Sequence, residues 1–391
     1  MCPTPSSAPC PAPYSIGIEE EFFVFDAQSR RAITRADKPF LGAIKKRLGG
    51  AVMTEMLQSQ VEVVTPVCEH VDQAREYLAH YRAALAEEAG RRRLGIAAMG
   101  TFPLAVWPEQ MVTPGDRYKS IVEDLGIIGL RNMLCGLHVH VGVPDPSVRV
   151  DLMKRIMPYL PLLLALSTSS PFWQMHVSGL HGYRLAAYDE LPRTGLPELF
   201  HQQEDYDEYI AALTRSGIIP DASYVWWAIR PSMRYPTLEL RIADSCTRLD
   251  DTLAIAALFS CLVRALDNDR ALNAGFDRVG RAITVENKWH AQRYGVHAVF
   301  IDPFRRSPIS AAEWLAEVMD FIEEDIVALG CRREIARVAS IVAEGSSADE
   351  QIRIYQAART AGRQRITALK EVVDWVAAET LAGAKPGRVA A

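Results

Sequence analysis

The sequence lacks the features that would assign it to several common classes. Its 391 residues carry a net charge of −5, so there is no basic excess of the kind that binds nucleic acid or an anionic membrane. Its longest apolar run, Leu160–Leu166, is too short to span a bilayer. The N-terminus, MCPTPSSAPCPAP, has neither the basic nor the apolar region of a signal peptide. We therefore expect no nucleic-acid and no membrane partner.

Paired cysteines and familiar catalytic motifs are missing as well. The chain has seven scattered cysteines and no CxxC pair, which disfavours a disulfide scaffold or a zinc module and favours a reducing, cytoplasmic compartment. The patterns GxxxxGK[ST], GxGxxG, GxSxG and HExxH do not occur. The usual phosphate loops, the hydrolase nucleophile elbow and the zincin helix are therefore excluded.

What is present is ordinary globular composition, with 49% hydrophobic and 23% charged residues. Residues 1–13 are rich in Pro, Ser and Ala and are expected to form a disordered tail, and 381–391 a frayed one. The stretch between them, 14–380, is expected to form a single domain.

The stretch Ser15–Asp26, SIGIEEEFFVFD, is predicted to be a buried β-strand that carries three carboxylates. Because side chains alternate along a strand, Glu19 and Glu21 share one face and Glu20 lies on the other. Two same-face carboxylates lie about 6–7 Å apart in a strand. Such a pair suits either Arg or Lys partners or a pair of divalent cations, and this stretch alone does not decide between them.

The stretch Thr54–Val67 is predicted to be a second strand, with Gln58, Gln60 and Glu62 on one face. Glu55 and Glu62 are seven residues apart, which places them on opposite faces of a regular strand. If both act at one site, a turn or bulge must lie near Glu55.

Two further predicted strands carry polar residues among apolar ones. Cys135–Val143 places His138 and His140 on one face, as satisfied interior histidines or as metal or phosphate ligands. Thr237–Ile242 places Glu239 and Arg241 on one face, as a simple ion pair or as a metal ligand and a phosphate clamp.

The remaining chain is predicted to be mainly helical, apart from a polar, aromatic-rich loop at Ser167–Tyr188. A helix is expected from Val148, with Pro158 and Pro161 starting a new element. The other expected helices are Leu41–Leu48, Val71–Arg93, Phe200–Leu213, Thr252–Ala265, Ala282–Val296, Ala311–Ala328, Ala348–Ala361 and Arg365–Ala378.

Four strands with inward polar residues indicate a sheet whose concave face is a site rather than a core. Oxygen ligands with one or two histidines fit Mg²⁺ or Mn²⁺ better than zinc. Hard cations held by carboxylates, together with arginines, are the groups needed to bind ATP phosphates without a P-loop.

Five ordered motifs resemble those of the carboxylate–amine ligase family, the type 2 glutamate–cysteine ligases, which are distant relatives of glutamine synthetase. They are GIEEEFF, EMLQSQVEVVTPV, CGLHVHVGV, TLELRIADS and ENKWHAQRYG, and the resemblance covers about 14–380. It implies an α+β catalytic domain, with a curved, mainly antiparallel sheet forming a funnel and helices packed outside. It also implies ATP-dependent amide formation between an amino-acid carboxylate, usually the γ-carboxylate of glutamate, and an amine such as cysteine, through an acyl-phosphate.

The resemblance also implies roles for individual residues. Metal ligands would be Glu19 and Glu21, with Glu55 and Glu62 completing one position and His138 and Glu239 the other. Arg241 would contact the γ-phosphate and acyl-phosphate, so that Arg241 and Glu239 are the catalytic residues, and His140 would lie toward the nucleotide. Substrate carboxylates would be bound by Arg184, Arg230 and Arg293. Implied cofactors and partners are ATP, Mg²⁺ or Mn²⁺, small amino-acid and amine substrates, and a second copy in a homodimer.

Two loops depart from the family pattern. The chain has GTFP where the family commonly has GTHP, and SPFWQMHVSGLHGYR differs from the usual small-residue version. Both loops are expected to line the substrate pocket, so the sequence does not identify the amine and leaves the amino-acid donor open as well. Alternative functions are a guanidino-kinase-like phosphotransferase, which would rely mainly on arginines, and a catalytically idle binding protein that keeps the fold.

Overall fold

The computed structural model describes residues 12–385. Most of the two expected tails lies outside the described residues, so the tails and the single domain at 14–380 stay predictions. No helix within 12–385 is long and apolar enough to cross a membrane.

An open, entirely antiparallel sheet of seven strands forms the centre of the fold. Its strands are β1 (Ile16–Asp26), β2 (Val52–Thr54), β3 (Gln60–Val64), β4 (Leu94–Ala97), β5 (Leu137–Gly142), β8 (Ile229–Pro231) and β9 (Thr237–Leu240). Their order in the sheet is β2-β3-β1-β5-β9-β8, with β4 also paired to β1. Two small hairpins are formed by β6 (Phe172–Trp173) with β7 (His176–Val177), and by β10 (Val299–Ile301) with β11 (Pro308–Ser310).

Helices surround this sheet and cover one of its faces. They are α1 (Lys38–Leu48), α2 (Val71–Gly90), α3 (Asp116–Leu125), α4 (Ile127–Leu130), α5 (Arg149–Ile156), α6 (Leu160–Ser167), α7 (Tyr183–Tyr188), α8 (Gln203–Arg215), α9 (Leu249–Asn268), α10 (Arg278–Tyr294), α11 (Ala311–Phe321), α12 (Glu323–Leu329), α13 (Arg332–Glu344), α14 (Ser347–Thr360) and α15 (Arg365–Leu381). Helices α2 and α9 pack on β1, α5 packs on β8 and β9, and α15 packs on β4. The predicted α+β class, with an antiparallel sheet and helices outside it, is confirmed.

The two faces of the sheet differ as the strand period predicts. Leu137, Val139 and Val141 of β5 are fully buried against the helices. Burying an apolar side chain of this size stabilises a fold by about 1.5–3 kcal/mol. The alternating residues of β5, His138 and His140, lie on the other face, where they meet polar side chains of β1 and β9.

Glu20 lies on the helix-covered face, and its partner is a buried arginine. Both oxygens of Glu20 accept hydrogen bonds from Arg82 of α2, at 3.0 and 2.5 Å, and Thr252 of α9 donates a third. The same guanidinium donates to the backbone carbonyls of Thr247, Cys246 and Thr380. Glu20, on the opposite face from Glu19 and Glu21, therefore forms an ordinary buried ion pair.

Several predicted boundaries are wrong. The single strand predicted over Thr54–Val67 is a hairpin, with β2 and β3 joined by a turn that includes Glu55 and Gln58. The turn is held in place because Gln58 accepts from Ala36 and donates to Val112, so Gln58 does not lie with Gln60 and Glu62.

Two further predictions differ from the structure. The helix predicted over Ala311–Ala328 is two helices, α11 and α12, and the acidic first turn of α12 matches a new helix N-terminus. The predicted loop at Ser167–Tyr188 contains the β6–β7 hairpin and α7, whose short lengths give no periodic signal.

Candidate active site

The solvent-side face of the sheet collects polar side chains from five neighbouring strands. Cross-strand pairing sets Glu19 opposite His138 and Glu21 opposite Glu62. It also sets His140 opposite Glu239, and Glu239 opposite Arg230. Directly opposed side chains in an antiparallel pair lie about 4.5–5.5 Å apart at Cβ, so these residues form one contiguous polar surface.

Two sets of three ligand atoms stand out on this surface. Atoms of Glu19, Glu62 and His138 lie within 4.8 Å of one another, and so do atoms of Glu21, Glu55 and Glu62. Glu62 belongs to both sets, and Glu55 reaches the second set from the turn after β2. We call these five residues the acidic cluster. The turn that sequence reasoning required near Glu55 is present.

The acidic cluster carries more negative charge than the surrounding side chains neutralise. Burial and the charge of Glu55 raise the pKa of Glu21 to about 8. Burial and the charges of Glu55, Glu19 and Glu21 raise the pKa of Glu62 well above its usual range. Carboxylates that repel one another in this way are matched to divalent cations, and four oxygen donors with one imidazole suit Mg²⁺ or Mn²⁺. The residues present therefore fit a two-cation site.

The two histidines differ in protonation because their surroundings differ. Burial and the nearby Arg241 lower the pKa of His138 to about 4, so this ring is neutral and can act as a ligand, with Nδ1 3.0 Å from Glu19. Burial alone would lower the pKa of His140, but its contacts with Glu19 and Glu239 outweigh burial and raise it. His140 is also held by Thr237, whose hydroxyl lies 2.9 Å from Nδ1.

Glu239 lies between two arginines rather than in either three-ligand set. Arg230 donates to both of its oxygens, at 2.8 and 3.1 Å, and Arg241 donates at 2.5 Å. Burial opposes ionisation of this carboxyl, but both guanidinium groups hold its pKa well below its usual range. The predicted metal role of Glu239 thus stays a prediction, while its position beside His140 and Arg241 is clear.

Arg241 has a free donor in a buried setting. One of its terminal nitrogens donates to the Tyr188 hydroxyl at 3.2 Å, while the buried Nε has no hydrogen-bond partner. Lys288 and Asp189 form an ion pair beside it, around a cavity of about 10 Å³. Sequence analysis missed Tyr188 and Asp189, and only the ENKWHAQRYG motif pointed toward Lys288.

The three arginines predicted to bind substrate occupy different settings. Arg184 is 2% exposed, donates to the Ala243 carbonyl at 3.0 Å and keeps an unpaired buried Nε. It fits only because residue 136 is glycine, since a Cβ there would lie 2.3 Å from the Arg184 guanidinium. Arg230 donates hydrogen bonds to Glu239 and to backbone carbonyls, including that of Val225.

Arg293 is not brought to the acidic cluster by any of its contacts. It lies near the end of α10, donates to the carbonyl of Gly179 and stacks 5.1 Å from the ring centre of Tyr294. Its substrate-binding role, like those of Arg184 and Arg230, remains a prediction.

A cavity of about 570 Å³ lies at the β6–β7 hairpin, where both divergent loops meet. Its lining residues are Val106, Trp173, Gln174, Met175, His176, Ser178 and Tyr183. Gln174 and Met175 form the hairpin tip with φ values of 47° and 64°, which is unusual for two successive non-glycine residues. Such strained backbone is often retained at ligand-binding positions.

The chain is similar to known ligases over nearly its whole length. The profile of the glutamate–cysteine ligase family 2 matches residues 15–371. A protein of Bradyrhizobium diazoefficiens, provisionally named glutamate–cysteine ligase 2, is 48% identical over 95% of this chain and 85% of its own length. One of Rhodospirillum rubrum with the same provisional name is 42% identical over 94% of this chain and 96% of its own.

Solved structures with little sequence identity share the fold. The glutamate–cysteine ligase of Francisella tularensis, solved in complex with AMP, is 12% identical with a TM-score of 0.66, covering 96% of this chain and 93% of that one. A bifunctional glutathione synthetase of Pasteurella multocida is 15% identical with a TM-score of 0.70, covering 95% of this chain and 54% of that one. Together with the family profile and the close relatives, these matches show that the chain belongs to glutamate–cysteine ligase family 2, whose members are ATP-dependent ligases that form carbon–nitrogen bonds.

Proposed function

We propose that this ligase joins the γ-carboxylate of glutamate to an amine, cysteine or another, through an acyl-phosphate, with ATP and Mg²⁺ or Mn²⁺. The observation that carries the proposal is the acidic cluster, in which Glu62 is shared by two sets of ligand atoms beside Arg241. A cation pair held there would neutralise phosphate oxygens of ATP. Glu19, Glu21, Glu55, Glu62, His138 and Glu239 would hold these cations.

The protein groups around the cluster act by position and charge. Arg241 binds the transferring phosphoryl group, because a guanidinium offers two parallel donors to phosphate oxygens and its Nε is unpaired. Glu239 orients Arg241, and His140, with its raised pKa, lies toward the nucleotide. Arg184, Arg230 and Arg293 bind substrate carboxylates in this proposal.

No side chain is needed as a nucleophile, because the carboxylate of one substrate and the amine of the other form the bonds. Cys135 lies near the cluster, but burial and the charge of Glu21 raise the pKa of its thiol well above the usual range. A thiol held neutral in this way is a poor nucleophile. Cys135 therefore has a packing role, and its Sγ accepts a hydrogen bond from Gln60 Nε2 at 3.2 Å.

The amine is proposed to bind at the 570 Å³ cavity of the β6–β7 hairpin. Trp173, Met175 and Tyr183 give this cavity an apolar character. Its loops are those in which the sequence departs from the family, so the amine need not be cysteine. A cytoplasmic location, favoured by the scattered cysteines, and a homodimer, suggested by the family, complete the proposal.

A substrate screen tests the proposal directly. Purified protein would be incubated with Mg²⁺–ATP, a panel of amino-acid donors and a panel of amines, with phosphate release and product mass as readouts. We expect phosphate release that requires both substrates, and a product whose mass is that of the donor plus the amine minus water. A phosphorylated product without amide would instead indicate a phosphotransferase. Binding of ATP without turnover for any pair would indicate an idle binding protein.

A further inference from the structure

A pair of buried thiols lies behind the sheet, remote in sequence from the acidic cluster. Cys261 lies within α9 and Cys331 lies at the start of α13, 70 residues further along. Their Sγ atoms are 3.4 Å apart. A disulfide bond is about 2.05 Å long, so the two sulfur atoms need to approach by only about 1.4 Å.

The contact between these thiols is held by the packing around it. Arg264 of α9 pairs with Asp325 of α12 on one side, and Asp251 of α9 pairs with Arg337 of α13 on the other. The second ion pair joins the two sulfur-bearing elements, α9 and α13, directly, and the first joins α9 to α12, the helix that ends just before Cys331. Other described cysteines lack such a thiol partner: Cys246, for example, contacts the carbonyl of Asp244.

The two thiols differ in a way that assigns their roles. The hydrogen bond from Cys261 lowers the pKa of Cys331, whereas the same bond and burial raise that of Cys261. Cys331 is also the N-terminal flanking residue of the 13-residue helix α13, whose dipole favours a negative charge there. A cavity of about 20 Å³ touches Cys331, with His70 and Ser260 also in its wall, and this is room for about one water molecule.

We propose that Cys261 and Cys331 are a modification site, a dithiol that a hydroperoxide converts to a reversible disulfide. The Cys331 thiolate attacks one peroxide oxygen, which breaks the O–O bond and forms a sulfenic acid, and the other oxygen leaves as water after taking a proton. The Cys261 sulfur then attacks Cys331, the S–O bond breaks, and the oxygen leaves as a second water with the Cys261 proton. Two thiols and one hydrogen peroxide thus give one disulfide and two waters, with two electrons passing from sulfur to oxygen.

Such a disulfide would form in response to an oxidant and would not be a permanent structural bond. Disulfides that form in reducing compartments are usually transient and redox-sensing. This bond would close a loop of about 70 residues between α9 and α13. Closing the loop restricts the conformations of the unfolded chain and so raises the melting temperature. The inference depends on the thiol contact alone and not on the proposed substrates.

Mass mapping of the wild-type chain tests the proposal. The reduced, full-length protein would be treated with a small excess of hydrogen peroxide, alkylated, and digested without reductant. We expect a cross-linked peptide pair containing Cys261 and Cys331, two fewer alkylated thiols, and full reversal by dithiothreitol. Oxidation should also raise Tm by several degrees. Recovery of both cysteines as alkylated thiols, or a cross-link only through Cys2, Cys10 or Cys68, would overturn the proposal.

Matched variants separate the two roles. Cys331→Ala and Cys261→Ala should each abolish the cross-link and the oxidative rise in Tm, while Cys68→Ala, which also removes a buried thiol, should keep both. In Cys261→Ala, a sulfenic-acid probe should label Cys331. Labelling of Cys261 in Cys331→Ala at the same rate would refute the assigned order of attack.

Discussion

Replacing Glu62 by glutamine tests whether the acidic cluster is built to hold cations. Ligand atoms of Glu62 lie within 4.8 Å of Glu19 in one set and of Glu21 and Glu55 in the other. Two unit charges 4.8 Å apart repel by about 3.5 kcal/mol at an effective dielectric constant of about 20. Proton uptake relieves part of this repulsion, because the pKa of Glu62 is raised. We therefore expect the metal-free variant to exceed the wild type in free energy of unfolding by about 1–2 kcal/mol.

The same change should remove activity. A shared metal ligand contributes several kcal/mol to stabilising the charge of the transition state, and the variant loses this contribution. Since each 1.36 kcal/mol corresponds to about a tenfold change in rate, turnover should fall at least about 1,000-fold. Unfolding would be followed in urea with EDTA and then with Mg²⁺ and ATP. Wild type should gain stability from Mg²⁺–ATP, and Glu62→Gln should gain much less.

Replacing Glu20, on the same strand, is a control in which stability should change in the opposite direction. Glu20→Gln leaves Arg82 buried without its charge partner, which typically costs about 3–5 kcal/mol of stability. Thr252→Val removes the hydrogen bond that Thr252 donates to Glu20 and the one that it accepts from Arg82, and should cost about 1–2 kcal/mol, with the response to Mg²⁺–ATP intact. A metal-free Glu62→Gln protein that is less stable than wild type, or one that keeps normal turnover, would refute the reasoning.

Three further variants test the surroundings of the cluster. Arg241→Lys should lower kcat about 100-fold or more with little change in Tm, because a two-donor fork becomes a point charge, and near-normal steady-state kinetics would contradict its phosphate role. Burial opposes ionisation of Asp349, but the hydrogen bond from His181 outweighs it and lowers the pKa to about 2. Asp349 therefore stabilises the fold above its unfolded pKa of about 4, and this contribution is lost as pH falls toward 2. Asp349→Asn should lower Tm at pH 7 by an amount that shrinks toward pH 2, and a constant difference would argue against a stabilising contact between Asp349 and His181. Trp173→Ala should raise KM for the amine more than for ATP, and an equal rise for both would place the amine elsewhere.

Strand periodicity was enough to predict the polar face of the sheet. The assignment of Glu19 and Glu21 to one side and Glu20 to the other needs only the two-residue repeat, and β1 has that arrangement. The turn near Glu55 followed from the odd spacing to Glu62 together with the assumption that both carboxylates act at one site. Assembly of these residues on one face was expected from the polar residues of four predicted strands, whereas the role of each residue was expected only from the family motifs.

Partners that come from distant parts of the chain could not be read from local patterns. Arg82 is 62 residues from Glu20 and lies on a helix face that reads as ordinary, so its pairing depends on how α2 packs. The two arginines around Glu239 are a different case, because they lie close to it in sequence and the spacing allowed both an ion pair and a metal ligand. The β6–β7 hairpin escaped prediction because its tip uses Gln174 and Met175 in a conformation that usually marks glycine or asparagine.

The reach of Arg82 has a consequence for biosynthesis. Its guanidinium joins the first strand of the fold to the carbonyl of Thr380, and the Thr380 hydroxyl accepts from the backbone of Ala98 beside β4. During synthesis β1 and Arg82 are made long before α15, so the contacts of Arg82 and Ala98 with Thr380 can form only once α15 has emerged from the exit tunnel. The hydrogen bonding around the buried partner of Glu20 is therefore completed by one of the last helices of the fold to be made.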